Sequence, residues 1–410
     1  EGLAEARRFR RDMFAPRAPW RHGEAPAWLA ALAARCLAQV PFYRKRGGDP
    51  DDFFRLPTTT RNDLASAPWE FIPDDLPAHD VLTFSTSGST GPAMAVPSSP
   101  VAAACYLPAL EYALARHGIA LDGGRGRTSI VLVCAQRSTL TYASLSTLLD
   151  GAGFVKINLA PGEWRHPDDP VRFLDDLAPE ILTGDPFAFA RLAELPLRHR
   201  PKAMVSTAMA LTSGTRAALE SRFSCPVIDV YSLTESRMIA VATPRGHEIV
   251  PHRLYVEILA SDGTPRPPGE RGEIVLSGGF NDYLPLLRYR TGDFASLDLS
   301  GATPALRDLE GRPPVRLEDS RGRPVNTIDV TKALTPLPLA GFHLRQRADR
   351  SIELTGWGAL SVFADGAVRA ALAPIFGDLT ISLRLDDHAP PDGKPLPFSS
   401  ELPPDEIEGW

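Results

Sequence analysis

A run of small polar residues between two apolar stretches, "VLTFSTSGSTGPAMAV" at 81–96, is the first candidate for chemistry in this sequence. Glycine allows backbone N–H groups to converge on an anion, and serine and threonine hydroxyls add further donors. The run therefore suits a phosphate-binding loop. Its composition equally suits a Ser/Gly linker or a hairpin turn, and it matches neither G-x-x-x-x-G-K-[ST] nor G-x-G-x-x-G.

Two further segments carry polar residues that a nucleotide could use. In "DVYSLTESR" (229–237), Thr234 and Glu235 follow a predicted strand, and ligands bind at strand ends in α/β sheets. The hydroxyl can contact a phosphate and the carboxylate can hold Mg²⁺. In "LLRYRTGDFA" (286–295), Asp293 follows a glycine turn near Arg288 and Arg290 and can accept both hydroxyls of a ribose. Each segment alone could also be a surface loop with a salt bridge.

The elements that must position these residues change character along the chain. Helix and strand patterns alternate as far as about residue 235, which predicts an α/β core with a largely parallel sheet. Within this region "TYASLSTLLDGAG" (141–153) is predicted as helix. A strand–turn–strand pattern from Leu254 indicates an antiparallel hairpin in a β-rich lobe of about 250–311. We predict an N-terminal domain at 1–311 and a small α+β domain at 312–410.

The composition excludes several other classes of protein. The formal net charge of −6 argues against a nucleic-acid binder, which usually has a basic domain. The four cysteines form no C-x-x-C pair and fit neither a zinc ribbon nor a disulfide framework, so we expect reduced thiols in a cytoplasmic protein. No window approaches roughly 18 uninterrupted apolar residues, so no membrane association is expected. The first residues are too charged for a signal-peptide core.

Together, in this order and spacing, the three segments resemble the adenylate-forming, AMP-binding superfamily. The flanking stretches "VPFYRKRG", "LPTTTRNDL" and "GERGEIVLS" resemble its phenylacetate-CoA ligase branch, which includes capsule- and phenazine-biosynthesis relatives. The resemblance covers about residues 36–400. It implies a large multi-lobed N-terminal domain with mixed, largely parallel sheets and a small mobile C-terminal domain. The implied reaction converts a carboxylate and ATP to acyl-AMP and pyrophosphate, then passes the acyl group to a thiol, usually coenzyme A.

By the resemblance, the small-residue loop holds the β- and γ-phosphates, Thr234 contacts the α-phosphate and Glu235 holds Mg²⁺. Lys394, in "PDGKPLPF", corresponds to a mobile catalytic lysine, although an exposed lysine in such a tail ordinarily has no role. Gly322 corresponds to a loop that lines the thiol tunnel. Nucleotide contacts are expected from twelve residues: Ser87, Gly88, Ser89, Thr90, Gly91, Ser206, Thr207, Ala208, Asp229, Tyr231, Asp293 and Arg312. Asp229 could instead cap a loop, and Arg312 could be a surface residue.

The predicted acid pocket mixes apolar and aromatic side chains, which suits an aromatic or other small organic acid. Asp185 could pair with an amine of the substrate, or it could cap the helix that begins at Pro186. The pocket is predicted to draw on six residues: Tyr142, Gly184, Asp185, Phe187, Met209 and Leu233.

Several positions depart from the family pattern. Ser232 replaces a glycine, no lysine follows the phosphate loop in "GPAM" (91–94), and Pro313-Pro314 replaces the acidic hinge residue. No cysteine follows Glu235, so no zinc is expected, and His247 and His252 are interpreted as surface or packing residues. These departures weaken the coenzyme A half-reaction more than adenylation.

Three functions therefore remain open. One is an acid–coenzyme A ligase, another is a stand-alone adenylating enzyme that loads a carrier protein or an amine, and the third is a non-catalytic nucleotide-binding relative. The presence of Thr234, Glu235, Asp293 and Lys394 argues against the third. The sequence makes no prediction of oligomeric state.

Overall fold

A computed structural model describes residues 2–15, 21, 23–86, 94–251, 253–311, 315–359, 365–386, 390 and 395–402. The chain divides into two compact units. Unit 1 comprises Glu1–Gly118 and Val230–Pro313, and unit 2 comprises Ile119–Asp229 and Pro314–Gly409. Residues 314–409 thus cluster with part of the region that precedes them, and the boundary predicted at 311/312 stays a prediction. Among the described residues, no helix has the length and apolar character needed to cross a membrane.

The helices of the described residues are mostly short. They are α1 (Gly2–Phe14), α2 (Ala27–Gln39), α3 (Pro41–Arg46), α4 (Arg61–Ser66), α5 (Pro100–Ala104), α6 (Tyr106–Ala115), α7 (Asp169–Leu177), α8 (Pro186–Ala193), α9 (Ser213–Phe223), α10 (Thr327–Leu334) and α11 (Asp365–Phe376).

The strands follow the predicted change of character, because pairing within residues 128–233 is mostly parallel and pairing within residues 237–311 is antiparallel. They are β1 (Leu82–Ser85), β2 (Ala95–Ser98), β3 (Thr128–Cys134), β4 (Tyr142–Ser146), β5 (Ala152–Asn158), β6 (Ile181–Gly184), β7 (Ala203–Ser206), β8 (Val227–Leu233), β9 (Arg237–Thr243), β10 (Gly246–Ile249), β11 (Leu254–Leu259), β12 (Arg271–Gly278), β13 (Leu286–Asp298), β14 (Ala305–Gly311), β15 (Leu317–Glu318), β16 (Pro324–Val325), β17 (Leu339–Gln346), β18 (Ile352–Ala359), β19 (Ile381–Asp386) and β20 (Phe398–Ser400).

Unit 1 is built on antiparallel strands. They lie in the order β11-β12-β13-β14-β10-β9, and residues 230–233 of β8 continue the array beside β9. The hairpin predicted from Leu254 is confirmed, since β11 pairs antiparallel with β12. Strands β1 and β2 form a separate hairpin. Apolar side chains of α2, α3 and β13 share one core with Phe71 and Met94, which fixes β13 and the β1–β2 hairpin within the unit.

Unit 2 contains the parallel sheet. Residues 227–229 of β8 lie beside β7, followed in order by β6, β3 and β5, all parallel. Strands β6 and β7 are buried at every residue, as expected for strands covered on both faces. The predicted largely parallel arrangement of this region is confirmed.

One predicted element is wrong. The segment "TYASLSTLLDGAG" forms strand β4 and a single 3-10 turn at 147–149 instead of a helix. Strand β4 pairs antiparallel with β5, and the Tyr142 ring packs edge-on against Phe154 with centroids 5.8 Å apart. The left-handed backbone of Asp150 and Gly151 closes the connection between the two strands. Cross-strand pairing therefore overrides the local helix propensity.

The C-terminal part of unit 2 is a four-stranded sheet, in the order β19-β18-β17-β20, with α10 and α11 packed in its core. It is joined to α9 by close backbone contact. The backbone N–H of Gly214 donates to the Thr335 carbonyl (2.9 Å), and the Thr215 hydroxyl donates to the Leu339 carbonyl (2.7 Å). A Cβ on Gly214 would lie 2.3 Å from the Pro336 oxygen, so only glycine fits there.

Candidate functional site

The β1–β2 hairpin ends at the position of the predicted phosphate loop. The backbone N–H of Thr86 donates to the Met94 carbonyl, and the backbone N–H of Met94 donates to the Thr86 hydroxyl, each at 3.0 Å. Arg61, at the start of α4, also donates to the Thr86 hydroxyl at 3.0 Å. The ends of the predicted loop are therefore held together. The loop residues themselves lie outside the described residues, and the predictions stand for Ser87, Gly88, Ser89, Thr90 and Gly91.

Glu235 lies in the turn between β8 and β9, and its side chain is buried. The hydroxyl of Tyr289, on β13, donates to its Oε1 at 2.7 Å. Tyr289 is fully buried. The Thr59 N–H donates to the Arg288 carbonyl, and the Arg290 N–H donates to the Thr59 carbonyl, so Thr59 pairs with β13 on both sides of Tyr289. Burial, followed by the adjacent Glu235 charge, raises the pKa of the Tyr289 phenol well above its ordinary value. The phenol therefore stays protonated and orients the carboxylate.

Asp293 is held in a similar way by a tyrosine. The hydroxyl of Tyr231, on β8, donates to Asp293 Oδ2 at 2.7 Å. Burial is the largest cause of the strongly raised pKa of Tyr231, and the Asp293 charge is the next. The Glu235 carboxylate also acts electrostatically on Tyr231, so the two tyrosine–carboxylate pairs lie close together. Unit 1 thus brings Tyr231 and Asp293 close to Glu235, and their roles in nucleotide binding stay predictions.

The two arginines of the same segment are occupied by carboxylates. Arg288 Nε and Nη2 donate to Glu257 at 3.1 and 2.9 Å, and Arg290 Nε donates to Glu273 at 2.7 Å. Arg288 also donates to the Leu56 carbonyl at 2.7 Å. Tyr289 and Arg290 are successive residues of the strand and point to opposite faces. Arg288 lies at a register shift with a left-handed φ of +45°, and its guanidinium reaches Glu257, which the strand register places on the face of Arg290. The arginines consequently brace the strand that carries Tyr289 and Asp293.

Two more predicted residues lie in unit 1, at the end of β8. Leu233 is the last residue of the strand and pairs with Arg237 of β9. Thr234 follows in the turn and is half-buried, next to Glu235 in sequence. Both residues precede the buried Glu235 carboxylate in the chain. The predicted assignment needs a phosphate-contacting hydroxyl at this place, and Thr234 supplies one.

In unit 2, three predicted residues lie side by side where the parallel pairing ends: Gly184 and Ser206 are the last residues of β6 and β7, and Asp229 is the last residue of β8 in register with β7. Gly184 on β6 is in register with Ser206 on β7, and Ser206 is in register with Asp229 on β8. The Thr207 N–H donates to the Gly184 carbonyl at 2.9 Å, and Ala208 has a left-handed φ of +70°. The Ser206 hydroxyl is buried and has no hydrogen-bond partner among the described residues. This sheet edge is where α/β folds bind ligands.

The predicted pocket residues of unit 2 fall into three environments. Asp185 accepts a hydrogen bond from the Ala188 N–H at 2.8 Å, which confirms its interpretation as the cap of α8. Phe187 is buried in a cluster against which Met209 and Trp357 pack. Tyr142 lies on β4 with 37% of its surface exposed. Phe187 and Met209 therefore share one cluster, while Tyr142 contacts Phe154 of the neighbouring strand.

The remaining predicted residues fall into two groups. Arg312, Lys394 and His252 lie outside the described residues, so their assignments stay predictions. His247 is half-buried in β10. Gly322 forms the turn between β15 and β16 with a φ of +76°, and its N–H donates to the Asp319 carbonyl at 3.0 Å.

Sequence reasoning missed three residues near the two carboxylates, namely Tyr289, Arg61 and Arg237. Tyr289 lies between Arg288 and Arg290, which were named from the sequence. The alternation of side chains along a strand could have indicated that Tyr289 points to a different face. Arg61 opens α4, where Thr60 and Asp63 form a capping box. Arg237 ends the "YSLTESR" segment, and its left-handed φ of +66° has no signature in the sequence.

Elsewhere in unit 1, a cavity of about 230 Å³ contains none of the predicted site residues. Its lining includes Phe54, Tyr255, Val256, Ile258 and Leu297. In the part of the chain that the structure describes, no group of three or more His, Cys, Asp or Glu side chains could hold a metal ion.

Comparison with known proteins gives consistent matches. The family model described as "AMP-binding enzyme" matches residues 49–281, more than half of the chain. Phenylacetate-coenzyme A ligase of Thermus thermophilus is 26% identical over 320 residues, which cover 72% of this chain and 68% of that protein. The Escherichia coli protein of the same name is 33% identical over 105 residues, 24% of either chain. The chain thus spans about a quarter of one relative and two thirds of the other.

Solved structures support the same fold. A 2-hydroxyisobutyryl-CoA ligase, in the postadenylation state with R3-HIB-AMP, has a TM-score of 0.67 at 18% identity and covers 91% of this chain and 88% of its own. An anthranilate CoA ligase in complex with anthranoyl-AMP has a TM-score of 0.54 at 16% identity, covering 78% and 67%. The predicted mixed α/β fold is confirmed. The chain belongs to the AMP-binding enzyme family, as its three motifs predict.

Proposed function

We propose that this protein activates a carboxylic acid with ATP, forming an acyl-adenylate and pyrophosphate, and then transfers the acyl group to a thiol, coenzyme A. The observation that carries the proposal is the pair of carboxylates in unit 1, Glu235 and Asp293, each oriented by a tyrosine hydroxyl at 2.7 Å. Family membership and the names of the relatives support the reaction class.

The first half-reaction is mainly a problem of charge. An acid anion must approach a triphosphate, so preorganised donors and a cation have to offset the repulsion. Glu235 fits a magnesium ion, because its carboxylate is a hard oxygen ligand already oriented by Tyr289. Mg²⁺ is commonly held by one or two carboxylates together with substrate phosphates. When bound, the metal would supply positive charge beside the phosphates, and the described residues offer no closed cage for it.

The remaining nucleotide contacts follow the predicted assignments. Asp293 accepts the ribose hydroxyls while the Tyr231 hydroxyl fixes its orientation. Thr234 donates to the α-phosphate, and Lys394 adds a mobile positive charge. Under the predicted assignment adenine contacts residues 206–208 and Asp229, where the buried Ser206 hydroxyl has no partner among the described residues and offers a hydrogen bond. The loop at 87–91 and Arg312 complete the proposed nucleotide site.

We infer an aromatic or other small organic acid as the substrate. The cluster of Phe187 and Met209 offers an apolar wall, and the relatives act on phenylacetate by name. Asp185 already uses an oxygen to cap α8, which favours an acid without an aliphatic ammonium group. We expect the reaction in the cytoplasm, where ATP is available and where the four buried, free cysteines would stay reduced.

The acceptor has one specific alternative. Pro313-Pro314 replaces the expected acidic hinge residue, and this difference favours a stand-alone adenylating enzyme that loads a carrier protein or an amine. The coenzyme A assignment is supported by the names of the relatives and structural neighbours.

Pyrophosphate release with a panel of aromatic and aliphatic acids tests the adenylation step. We expect release that depends on one acid class and on Mg²⁺. An absence of release with every acid would favour a non-catalytic relative. Supplying coenzyme A or a phosphopantetheinylated carrier protein to the preformed acyl-adenylate then identifies the acceptor, with acyl-CoA the expected product.

A further inference from the structure

Strand β4 forms an open edge of the sheet in unit 2, because β5 is its sole partner among the described strands. All five residues of β4 are exposed or half-buried. Leu145 is 77% exposed, and Leu140, just before the strand, is 75% exposed. Residues 138–149 include no charged residue, no proline and no glycine. An exposed edge of this kind is a template for pairing with another strand.

Two other sheet edges of the chain are protected against such pairing. On β19, at the edge of the C-terminal sheet, Arg384 and Asp386 form an ion pair at the surface. On β11, at the edge in unit 1, the Arg266 N–H donates to the Ile258 carbonyl at 2.8 Å, so the residues that follow the strand cover part of it. Charges and covering segments are common means of preventing edge pairing. Strand β4 carries no charge, and no described segment covers its open side.

The backbone of β4 presents hydrogen-bonding groups on its open side. The Ser146 carbonyl accepts from the Gly151 N–H at 2.9 Å, so the backbone groups of Ser146 point towards β5. Backbone direction alternates along an antiparallel pair, which turns the N–H and C=O groups of Ala143 and Leu145 to the open side. Two donors and two acceptors are therefore available to a second strand.

A second copy of the chain would satisfy this edge. When two β4 strands pair antiparallel about a two-fold axis with all five residues overlapping, Ser144 lies opposite the partner's Ser144. Ala143 then pairs with the partner's Leu145, so the outward donors of each copy meet outward acceptors of the other. The flanking charges are complementary, because this pairing brings the Arg137 end of one strand to the Asp150 end of the other. Both side chains are exposed, and neither forms an ion pair with another described residue.

We propose that β4 is a homodimer interface, in which two copies of the chain pair this strand antiparallel about a two-fold axis at Ser144. Main-chain hydrogen bonds of Ala143 and Leu145 supply the pairing, as in other cases of strand addition to a sheet edge. The exposed Leu145 side chain packs beside the partner's Ala143 and loses contact with water, which adds hydrophobic stabilisation. The proposal does not depend on the proposed function, because it rests on the exposure, charge and backbone geometry of the strand.

Disulfide cross-linking of the full-length chain tests the register of the pairing. Ser144→Cys should give a cross-linked dimer on oxidation with copper phenanthroline, because directly opposite residues of a non-hydrogen-bonded pair have Cα atoms about 4.5 Å apart, within disulfide range. Leu145→Cys is the matched control on the same strand. It lies diagonal to the partner's residue 145, at roughly 7–8 Å, and should cross-link at most about a tenth as much. The four native cysteines are buried and should not contribute.

Sedimentation equilibrium measures the association itself. The wild-type chain should dimerise with a dissociation constant below about 10 μM. Ser144→Lys should raise that constant about 10-fold or more, because two like charges then lie directly opposite each other. Ser382→Lys, on the protected edge β19, is the matched control and should leave the constant unchanged. Both serines are exposed, and each hydroxyl donates to a carbonyl of the neighbouring strand, at 3.1 Å for Ser144 and 3.3 Å for Ser382.

A wild-type chain that stays monomeric at about 100 μM would overturn the proposal. A dimer that Ser144→Lys leaves intact would also overturn it, because another surface would then hold the two copies together. Equal cross-linking of Ser144→Cys and Leu145→Cys would contradict the two-fold axis at Ser144. If Ser144→Lys does not fold, the comparison of the two cysteine variants decides the question.

Discussion

The two faces of strand β13 carry carboxylates held in different ways. On one face, Glu257 and Glu273 are paired with Arg288 and Arg290. On the other, the hydroxyl of Tyr289 donates to Glu235. A guanidinium neutralises its carboxylate, whereas a neutral phenol orients a carboxylate and leaves its charge for a ligand. Residues of one motif therefore divide into bracing and ligand-binding roles according to their partners.

The largest effect is expected on the bracing face. Arg288→Met should lower the free energy of unfolding by about 3–5 kcal/mol, because it leaves Glu257 buried without its cation and removes donors to the Phe54 and Leu56 carbonyls. Urea unfolding measures the loss. Arg55→Met, at an exposed ion pair, should cost less than about 1 kcal/mol. A similar cost for both variants would remove the distinction between the two faces.

On the ligand-binding face the expected loss is of activity. Glu235→Gln should reduce pyrophosphate release by about 100- to 1,000-fold, because the amide can still accept from Tyr289 but cannot offset a cation. The free energy of unfolding, measured in urea, should change by less than about 1 kcal/mol. Glu270→Gln, at an exposed glutamate, serves as the control and should be fully active. If Glu235→Gln lost stability instead of activity, Glu235 would belong with the bracing carboxylates.

Glu180 of unit 2 is a further bracing carboxylate, and its contribution to stability should depend on pH. Burial alone would raise the pKa of Glu180, but hydrogen bonds from Lys202, Ser129 and the N–H groups of Asp122 and Gly123 outweigh it and lower the pKa to about 2. Because the folded pKa lies below the ordinary value of 4.5, the stabilisation is complete above about pH 4.5 and is lost as the pH falls towards 2.

The stabilisation at stake for Glu180 is on the order of 3 kcal/mol. Glu180→Gln removes the titrating group. The difference in free energy of unfolding between wild type and variant, measured in urea, should therefore decrease from pH 6 to pH 3. Asp150→Asn, at an exposed carboxylate of the same unit, provides the control. A gap of constant size would show that the bracing of Glu180 does not depend on its charge.

The smallest effect is expected for the tyrosine of the second pair. Tyr231→Phe removes the donor to Asp293, and ATP and AMP should both bind about 3- to 10-fold more weakly, because both contain the ribose. Calorimetry with the two nucleotides measures this. An equal response of ATP and AMP would assign the Tyr231–Asp293 pair to the part of the nucleotide that the two share. A loss confined to ATP would assign the Tyr231–Asp293 pair to the phosphates.

Much of the fold could be predicted from motif order, side-chain periodicity and helix-capping residues. The order of the three motifs identified the family, and alternating patterns predicted the parallel region and the hairpin from Leu254. The Asp185-Pro186 step predicted a helix cap correctly, because capping depends on neighbouring residues alone. Strand β4 was mispredicted, since its extended form depends on pairing with β5, a partner that helix propensity does not register.

The family, the mixed α/β class and the residue types available for nucleotide chemistry could be predicted from motif order and local periodicity. Which carboxylates bind an arginine and which bind a tyrosine hydroxyl depends on the folded structure. Strand register brings Tyr289 to Glu235 and Tyr231 to Asp293, and a left-handed backbone at Arg237 turns its guanidinium onto Phe84. These contacts join residues 54 to 153 positions apart, and such long-range register follows from the packing of the whole unit.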